Sequence, residues 1–321
     1  MNLPAPTPSL RHGSLIDPQA LMSIRNLELR ARVVVEGFWS GIHRSPYHGF
    51  SVEFTEYRQY APGDDPRYLD WRVFARSDRY FIKRFEDETN LRCHLLVDGS
   101  RSMTYGSRGY SKASYAATLA ATLAQFLNLQ GDAVGLLTFD EQIRDYLPPR
   151  HRTGHLRNLM LALEKPAGGR STDLAAPLKR VAEVIRKRGL TVLISDFLAP
   201  EQGLEPHLVT LNACGHDVIL FQVLDPAEVN FDFRDAAMFE DAESGRTLFI
   251  DPGSARKEYL RKLESHCAQL RSACQRLGLA YNRLSTDRPL ELALFDFLRA
   301  RMQLGRRIRR VHRHANHRSL A

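Results

Sequence analysis

The segment Leu95-Leu96-Val97-Asp98-Gly99-Ser100-Arg101-Ser102-Met103 governs the reading of this chain. A short apolar run passes without a break into a carboxylate and two hydroxyls at alternate positions. Unbroken apolar runs of this length belong to strands buried on both faces, as in a parallel sheet covered by helices. In such sheets, ligands bind beyond the carboxyl ends of the strands, where the strand order reverses. Asp98 falls at that end.

Working outward, the same grammar repeats. Strands are expected at His94–Asp98, Ala133–Phe139, Leu190–Ser195 and Asp217–Leu224. Helices are expected near Ser111–Gln130, Leu156–Leu163, Thr172–Lys187 and Leu204–Ala213. Strands alternating with helices imply right-handed βαβ units. A hairpin from Phe239 to Ile250, a helix from Ser254 to Leu277, a strand near Ala280–Leu284 and a helix from Leu290 follow. Upstream, one helical pattern runs from about Pro18 to Val35 and ends near Gly37. Residues 38–90 are aromatic-rich and alternate, with turns at Pro62-Gly63-Asp64-Asp65-Pro66 and Ser77-Asp78. Three regions result: 1–90, an N-terminal helix and β-rich extension; 91–288, the α/β domain; 289–321, a last helix and tail. No internal repeat is visible.

The composition is that of a globular chain: 321 residues, 26% charged and 43% hydrophobic. The net charge of +8 is local. Eight arginines lie from Arg299 onward with no acidic residue, and the remaining 37 basic residues balance the 37 acidic ones. The body is therefore no general polyanion binder. The four cysteines form no CxxC pair, fit small buried hydrophobes and suit a reducing compartment. Met1 to Ser14 is Pro-rich with no apolar core, so no secretory leader is expected. Ala113 to Gly131 carries no charge, yet Ser114, Thr118, Thr122, Gln125 and Asn128 draw a polar stripe down one face. That pattern suits a helix packed on a sheet rather than one in lipid.

Two further segments resemble the Asp98 strand end. Leu193-Ile194-Ser195-Asp196 is a second apolar strand closing on a carboxylate, and Gly168-Gly169-Arg170-Ser171-Thr172-Asp173 feeds a helix. Asp98, Ser100, Ser102, Thr172 and Asp196 offer five oxygen groups with two charges and no His or Cys. Hard divalent cations prefer such donors. Mg²⁺ is expected, with Mn²⁺ or Ca²⁺ as alternatives, whereas zinc recruits imidazole or thiolate. Each feature also has a plain structural reading: Asp98-Gly99-Ser100 as a turn, Thr172 as a helix N-cap, and Asp140 as a solvated hairpin corner.

The Asp98-x-Ser100-x-Ser102 pattern, with its later Thr and Asp, resembles the metal-ion-dependent adhesion site of von Willebrand factor A domains. That likeness implies that these side chains hold a cation directly or through water and that a partner carboxylate completes the shell. Ser171 competes with Thr172 for the threonine role. The stretch from Glu56-Tyr57-Arg58-Gln59-Tyr60 to Leu69-Asp70-Trp71, with Ala75-Arg76 and Phe85-Glu86, resembles the signature of the bacterial domain-of-unknown-function 58 family. The resemblance covers roughly residues 20–300. It implies an α/β, von Willebrand A-like, mostly parallel central sheet flanked by helices, and partnership with a MoxR-type AAA+ ATPase.

The resulting expectation is a cytoplasmic, non-enzymatic, metal-dependent adaptor in chaperone-like complex maturation. A hydrolase built on the Asp98/Asp196 cluster is one competitor; Gly-x-Ser-x-Gly and Gly-x-x-x-x-Gly-Lys-[Ser/Thr] are both missing from the sequence. Nucleic-acid binding through the basic tail is the other, and is not the expected role. Leu294, Phe297, Leu298, Met302 and Leu304 carry an apolar helical face into the arginine run, read as a surface helix with a charged end; peripheral membrane contact there is the sharper alternative.

Overall fold

A computed structural model describes residues 15–44, 56–59, 81–84, 91–169, 178–179, 188–198, 204–233, 237–240 and 247–301, with 181, 183, 185 and 245 besides. Its centre is a six-stranded sheet: β3 (Arg92–Asp98), β4 (Ala133–Phe139), β5 (Ile143–Arg150), β6 (Leu190–Ser195), β7 (Asp217–Leu224) and β10 (Ala280–Ser285). The order is β10-β7-β6-β3-β4-β5. All neighbours are parallel except the β4–β5 pair. Two antiparallel pairs lie outside it: β1 (Glu56–Gln59) with β2 (Phe81–Arg84), and β8 (Ala237–Glu240) with β9 (Thr247–Ile250). This is the expected α/β architecture, a mostly parallel central sheet flanked by helices.

The helices are α1 (Pro18–Ser23), α2 (Leu27–Arg44), α3 (Lys112–Leu129), α4 (His155–Leu163), α5 (Leu204–Ala213), α6 (Pro226–Asn230) and α7 (Pro252–Leu277), with α8 over residues 290–301. They divide between the two faces because each central strand is apolar on both sides. Leu95 and Val97 of β3 pack into one core with Leu119, Leu123 and Phe126 of α3. Leu96 packs into the other core with Leu208 and Leu211 of α5 and Cys274 of α7. Phe38 of α2 meets Phe126 and Phe295 at ring distances of 5.8 and 4.6 Å, so α2 and α8 share the first core.

Two members of the polar stripe on α3 are sealed from water. Thr118 and Thr122 are fully buried, and their hydroxyls donate to the carbonyls of Ser114 and Thr118, each at 2.8 Å. Bonding back one turn satisfies a hydroxyl inside a covered helix. No helix among the described residues is long and apolar enough to cross a membrane.

The structure corrects four expectations. The single N-terminal helix is two: Ile24 is extended, and the Asn26 side chain accepts the Leu29 amide at 2.7 Å, capping a second helix that runs through Gly37 to Arg44. Strand β5 was not foreseen, because Pro148-Pro149 reads as a breaker; it sits at the sheet edge, where a missing N–H costs little. Asp140 is buried rather than solvated, bonded to Arg144 and to the Gln142 amide. Cys93, Cys267 and Cys274 are buried, but Cys214 is exposed. The signature between Tyr60 and Tyr80, Phe85-Glu86, and the tail beyond Arg301 lie outside the described residues.

Candidate functional site

Strand order reverses between β3 and β6. From β3 the chain crosses through α3 to β4 on one side. From β6 it crosses through α5 to β7 on the other. Adjacent crossovers on opposite faces leave a crevice at the carboxyl edge. Asp98 ends β3 at that crevice, and Asp196 follows β6 directly. Both are buried.

The Asp98 carboxylate is held on both oxygens. The Ser100 amide donates to Oδ1 at 2.8 Å, and the Ser195 hydroxyl donates to Oδ2 at 2.6 Å. A tight turn after the strand brings Ser100 and Ser102 to the same side, with their Oγ atoms 3.2 Å apart. The turn is pinned where Gly99 N donates to Phe139 O at 2.7 Å. Burial, and then the charge of Asp196, push the Asp98 carboxyl up to about 7; the hydrogen bonds from Ser195 and Ser100 oppose that rise.

The loop expected to bring Thr172 also reaches this turn. Gly168 N and Gly169 N donate to Gly99 O at 3.0 and 3.3 Å. Thr172 and Ser171 themselves lie outside the described residues. The structure thus brings Asp98, Ser100 and Ser102 together, sets Asp196 across the crevice, and leaves the fifth position undescribed.

Lys112, at the start of α3, changes the electrostatics of the site. Its side chain is fully buried, and its ammonium donates to Asp196 Oδ2 at 2.8 Å and Glu228 Oε1 at 2.6 Å. Burial alone would depress this amine. The two carboxylates outweigh burial and hold it above its ordinary value. Asp196 Oδ1 accepts the Leu198 amide at 3.2 Å. Both oxygens of Asp196 are therefore engaged by the protein.

A further carboxylate, Asp225, follows β7. It caps α6, accepts from the Ser107 amide at 2.9 Å and hydroxyl, and meets the buried Thr286 hydroxyl at 3.4 Å. Of the four buried or nearly buried carboxyls, Asp196 and Glu228 share the Lys112 ammonium, while Asp98 and Asp225 are held by amides and hydroxyls.

Sequence reasoning missed Lys112, Asp225 and Glu228. Asp225 was findable, since Leu224-Asp225 repeats the signal that singled out Asp98 and Asp196. Lys112 was passed over because it stands at the edge of a charge-free helix, where a lysine reads as solvated.

Phe197, next to Asp196, has φ of 51°. A bulky residue there is an outlier, and such strain gathers at functional sites. It persists because the Phe197 amide donates to Ser195 Oγ at 3.0 Å, its carbonyl lies 2.7 Å from His266 Nε2, and its ring is buried.

Asp98, Ser100 and Ser102 are oxygen donors suited to a small hard cation, and the two hydroxyls lie near the edge length of an octahedron with bonds of about 2.1 Å, roughly 3 Å. Asp196, across the crevice, can join them directly or through water, because each of its oxygens keeps a second lone pair after accepting one hydrogen bond. No cluster of three His, Cys, Asp or Glu side chains fit to hold a metal occurs among the described residues. Any ion here would depend on hydroxyls, water and outside ligands.

The family described as "Protein of unknown function DUF58" matches residues 56–269. An uncharacterized protein of Mycobacterium tuberculosis is 31% identical over 300 residues, covering 92% of this chain and 93% of its own. One from Mycobacterium avium is 29% identical over 147 residues, covering 46% and 85%. Among crystal structures, BatB from Bacteroides thetaiotaomicron has a TM-score of 0.45 at 15% identity, covering 66% of this chain and 99% of its own. An aerotolerance-related membrane protein from Bacteroides fragilis has 0.42 at 17%, covering 63% and 96%. With the family match spanning most of the chain and the Mycobacterium tuberculosis relative aligned nearly end to end, the protein belongs to the DUF58 family.

Proposed function

We propose that this chain is a non-catalytic, cytoplasmic protein-binding module that holds Mg²⁺, or Mn²⁺ or Ca²⁺ in its place, at the Asp98 rim and offers it to a carboxylate of a MoxR-type AAA+ ATPase. The observation that carries this reading is the convergence of Asp98, Ser100 and Ser102 at the reversal of strand order, with the two hydroxyls 3.2 Å apart. The charge distribution supports it, since Lys112 answers Asp196 and Glu228 while Asp98 is held by an amide and a hydroxyl with no counterion among the described residues. When bound, the ion supplies an electrophilic position that an incoming carboxylate can fill.

A neighbouring surface fits a protein partner. Arg101, between the two serines, bonds Glu240 of β8 at 3.1 Å. The β8–β9 hairpin presents Met238, Leu248 and Phe249, each more than half exposed. Exposed apolar groups gathered beside a polar rim mark interaction sites.

The test is capture of a MoxR-type ATPase from native lysate by the immobilised protein, with Mg²⁺ and with EDTA. Capture should require the ion and vanish in Asp98→Ala while the circular dichroism spectrum persists. Capture indifferent to EDTA and to Asp98→Ala would overturn the metal reading. Failure to capture the ATPase under any condition would overturn the partner.

A further inference from the structure

A cavity of about 790 Å³ opens beside Asp98 and Gly99, between α2, the start of α3 and the segment after α4. That volume is in the range of small-ligand sites, roughly 300–1,000 Å³. Part of its wall is apolar, from Leu27, Val97, Ala113, Ala117, Ala162 and Leu163. The remainder is charged, and the charges are unequally satisfied. Arg144 is bonded to the Asp140 carboxylate and Lys165 to Asp145.

Among the described residues Arg30 has no such partner. Its Nη1 contacts only neutral groups, Met22 Sδ at 3.1 Å and Ser114 Oγ at 3.3 Å. Its Nε is buried without a hydrogen-bond partner. Glu164 acts on it by charge but makes no ion pair with it. Arg25, exposed, lines the same cavity. A guanidinium held partly out of water beside an apolar wall is a ready receptor for an oxyanion.

The remaining charges select which oxyanion. Asp98, Asp145 and Glu164 also line the cavity, so a dianion such as phosphate would face three carboxyls. A single carboxylate carries less charge against those carboxyls, and an aliphatic stem uses the apolar wall.

We infer that this cavity, which shares Asp98 with the rim, is a carboxylate-binding site anchored by Arg30 rather than by a metal ion. It takes a carboxylate carried on an aliphatic stem, whether a free organic acid or an acidic side chain of a peptide. It goes beyond the metal-dependent reading and stands without it.

Two probes separate the sources: hexanoate, and an acetylated, amidated Ala-Leu-Glu-Leu-Ala peptide. Each is titrated calorimetrically into the full chain with EDTA and then with Mg²⁺. At least one probe should bind in EDTA, weaken tenfold or more in Arg30→Gln, and stay within a few-fold in Arg30→Lys; thermal unfolding of both variants reports whether the fold is kept. The peptide binding alone identifies a protein segment as the source, and hexanoate binding as tightly identifies a small acid. Failure of both probes to bind in EDTA would overturn the inference. So would binding that needs Mg²⁺ and ignores Arg30→Gln, which would put the carboxylate on the metal and uphold the rim instead.

Discussion

The ammonium of Lys112 lies 2.8 Å from Oδ2 of Asp196, with neither side chain exposed to solvent. A charge pair sealed from water is costly to break, because the surviving partner keeps its desolvation penalty without its counterion. Lys112 also holds Glu228 of α6, so one residue ties the start of α3 to the ends of β6 and β7. Lys112→Met should therefore destabilise the fold by about 3–5 kcal/mol in urea unfolding. Adding Glu228→Gln should return part of that loss, because it removes one of the two stranded charges. A loss below about 1 kcal/mol would show that the carboxyls do not depend on this ammonium.

The pH dependence of stability should carry the mark of Asp98. Its carboxyl titrates near 7 in the folded chain against an ordinary 3.8. A raised carboxyl favours folding while protonated, so its contribution is full below about pH 4 and lost as pH rises through about 7. His94, lowered to about 4 by burial, acts oppositely below its ordinary 6.5. The informative quantity is therefore the difference between the wild-type chain and Asp98→Asn. In EDTA, wild-type stability should fall relative to the variant between pH 5 and pH 8. Mg²⁺ should reverse that trend, since the ion binds only the carboxylate. Parallel stability curves for the two proteins in EDTA would refute the assignment.

Ser195 offers a finer control over the same group. Its hydroxyl donates to Asp98 and accepts the amide that keeps Phe197 in its left-handed conformation. Ser195→Ala should cost about 1–3 kcal/mol, since it strands buried polar atoms. It should also raise the Asp98 carboxyl further, because a bond favouring the charged form is gone. A carbon-13 NMR titration of the aspartates would register that rise. An unchanged Asp98 titration would show that the bond does not tune the carboxyl.

How far the sequence carried this picture depends on what each residue's signal reports. Apolar runs ending in carboxylates located β3, β4, β6 and β7 nearly to the residue, since a doubly covered strand leaves a continuous pattern. Asp98, Ser100 and Ser102 were legible for the same reason: a turn sits where the apolar run stops. The role of Lys112 was not legible, because its burial is created by elements distant in the chain, α6 and the end of β6. Strand β5 was hidden by Pro148-Pro149, whose cost depends on being at an edge, a property of the assembled sheet. Local chemistry could be read from the chain, whereas the company each charge keeps could not.

Gly169 joins the loop leading to Thr172 to the Asp98 turn, and a methyl group there has no room. A Cβ at Gly169 would lie 2.4 Å from Asp140 Cβ and 2.8 Å from its Cγ. Asp140 cannot easily yield, being buried and bonded to Arg144 and to the Gln142 amide. The loop must move instead, weakening the contact of Gly169 N with Gly99 O at 3.3 Å. Gly169→Ala should therefore cost about 1–3 kcal/mol, as overpacking does. If the loop supplies the fifth oxygen of the rim, the same variant should weaken Mg²⁺ binding in calorimetry well beyond Gly253→Ala, a control at the start of α7 where a Cβ meets only ordinary contacts. Equal Mg²⁺ affinities in the two variants would remove Thr172 and Ser171 from the proposed ligand set and leave Asp98, Ser100, Ser102 and Asp196 to hold the ion with water.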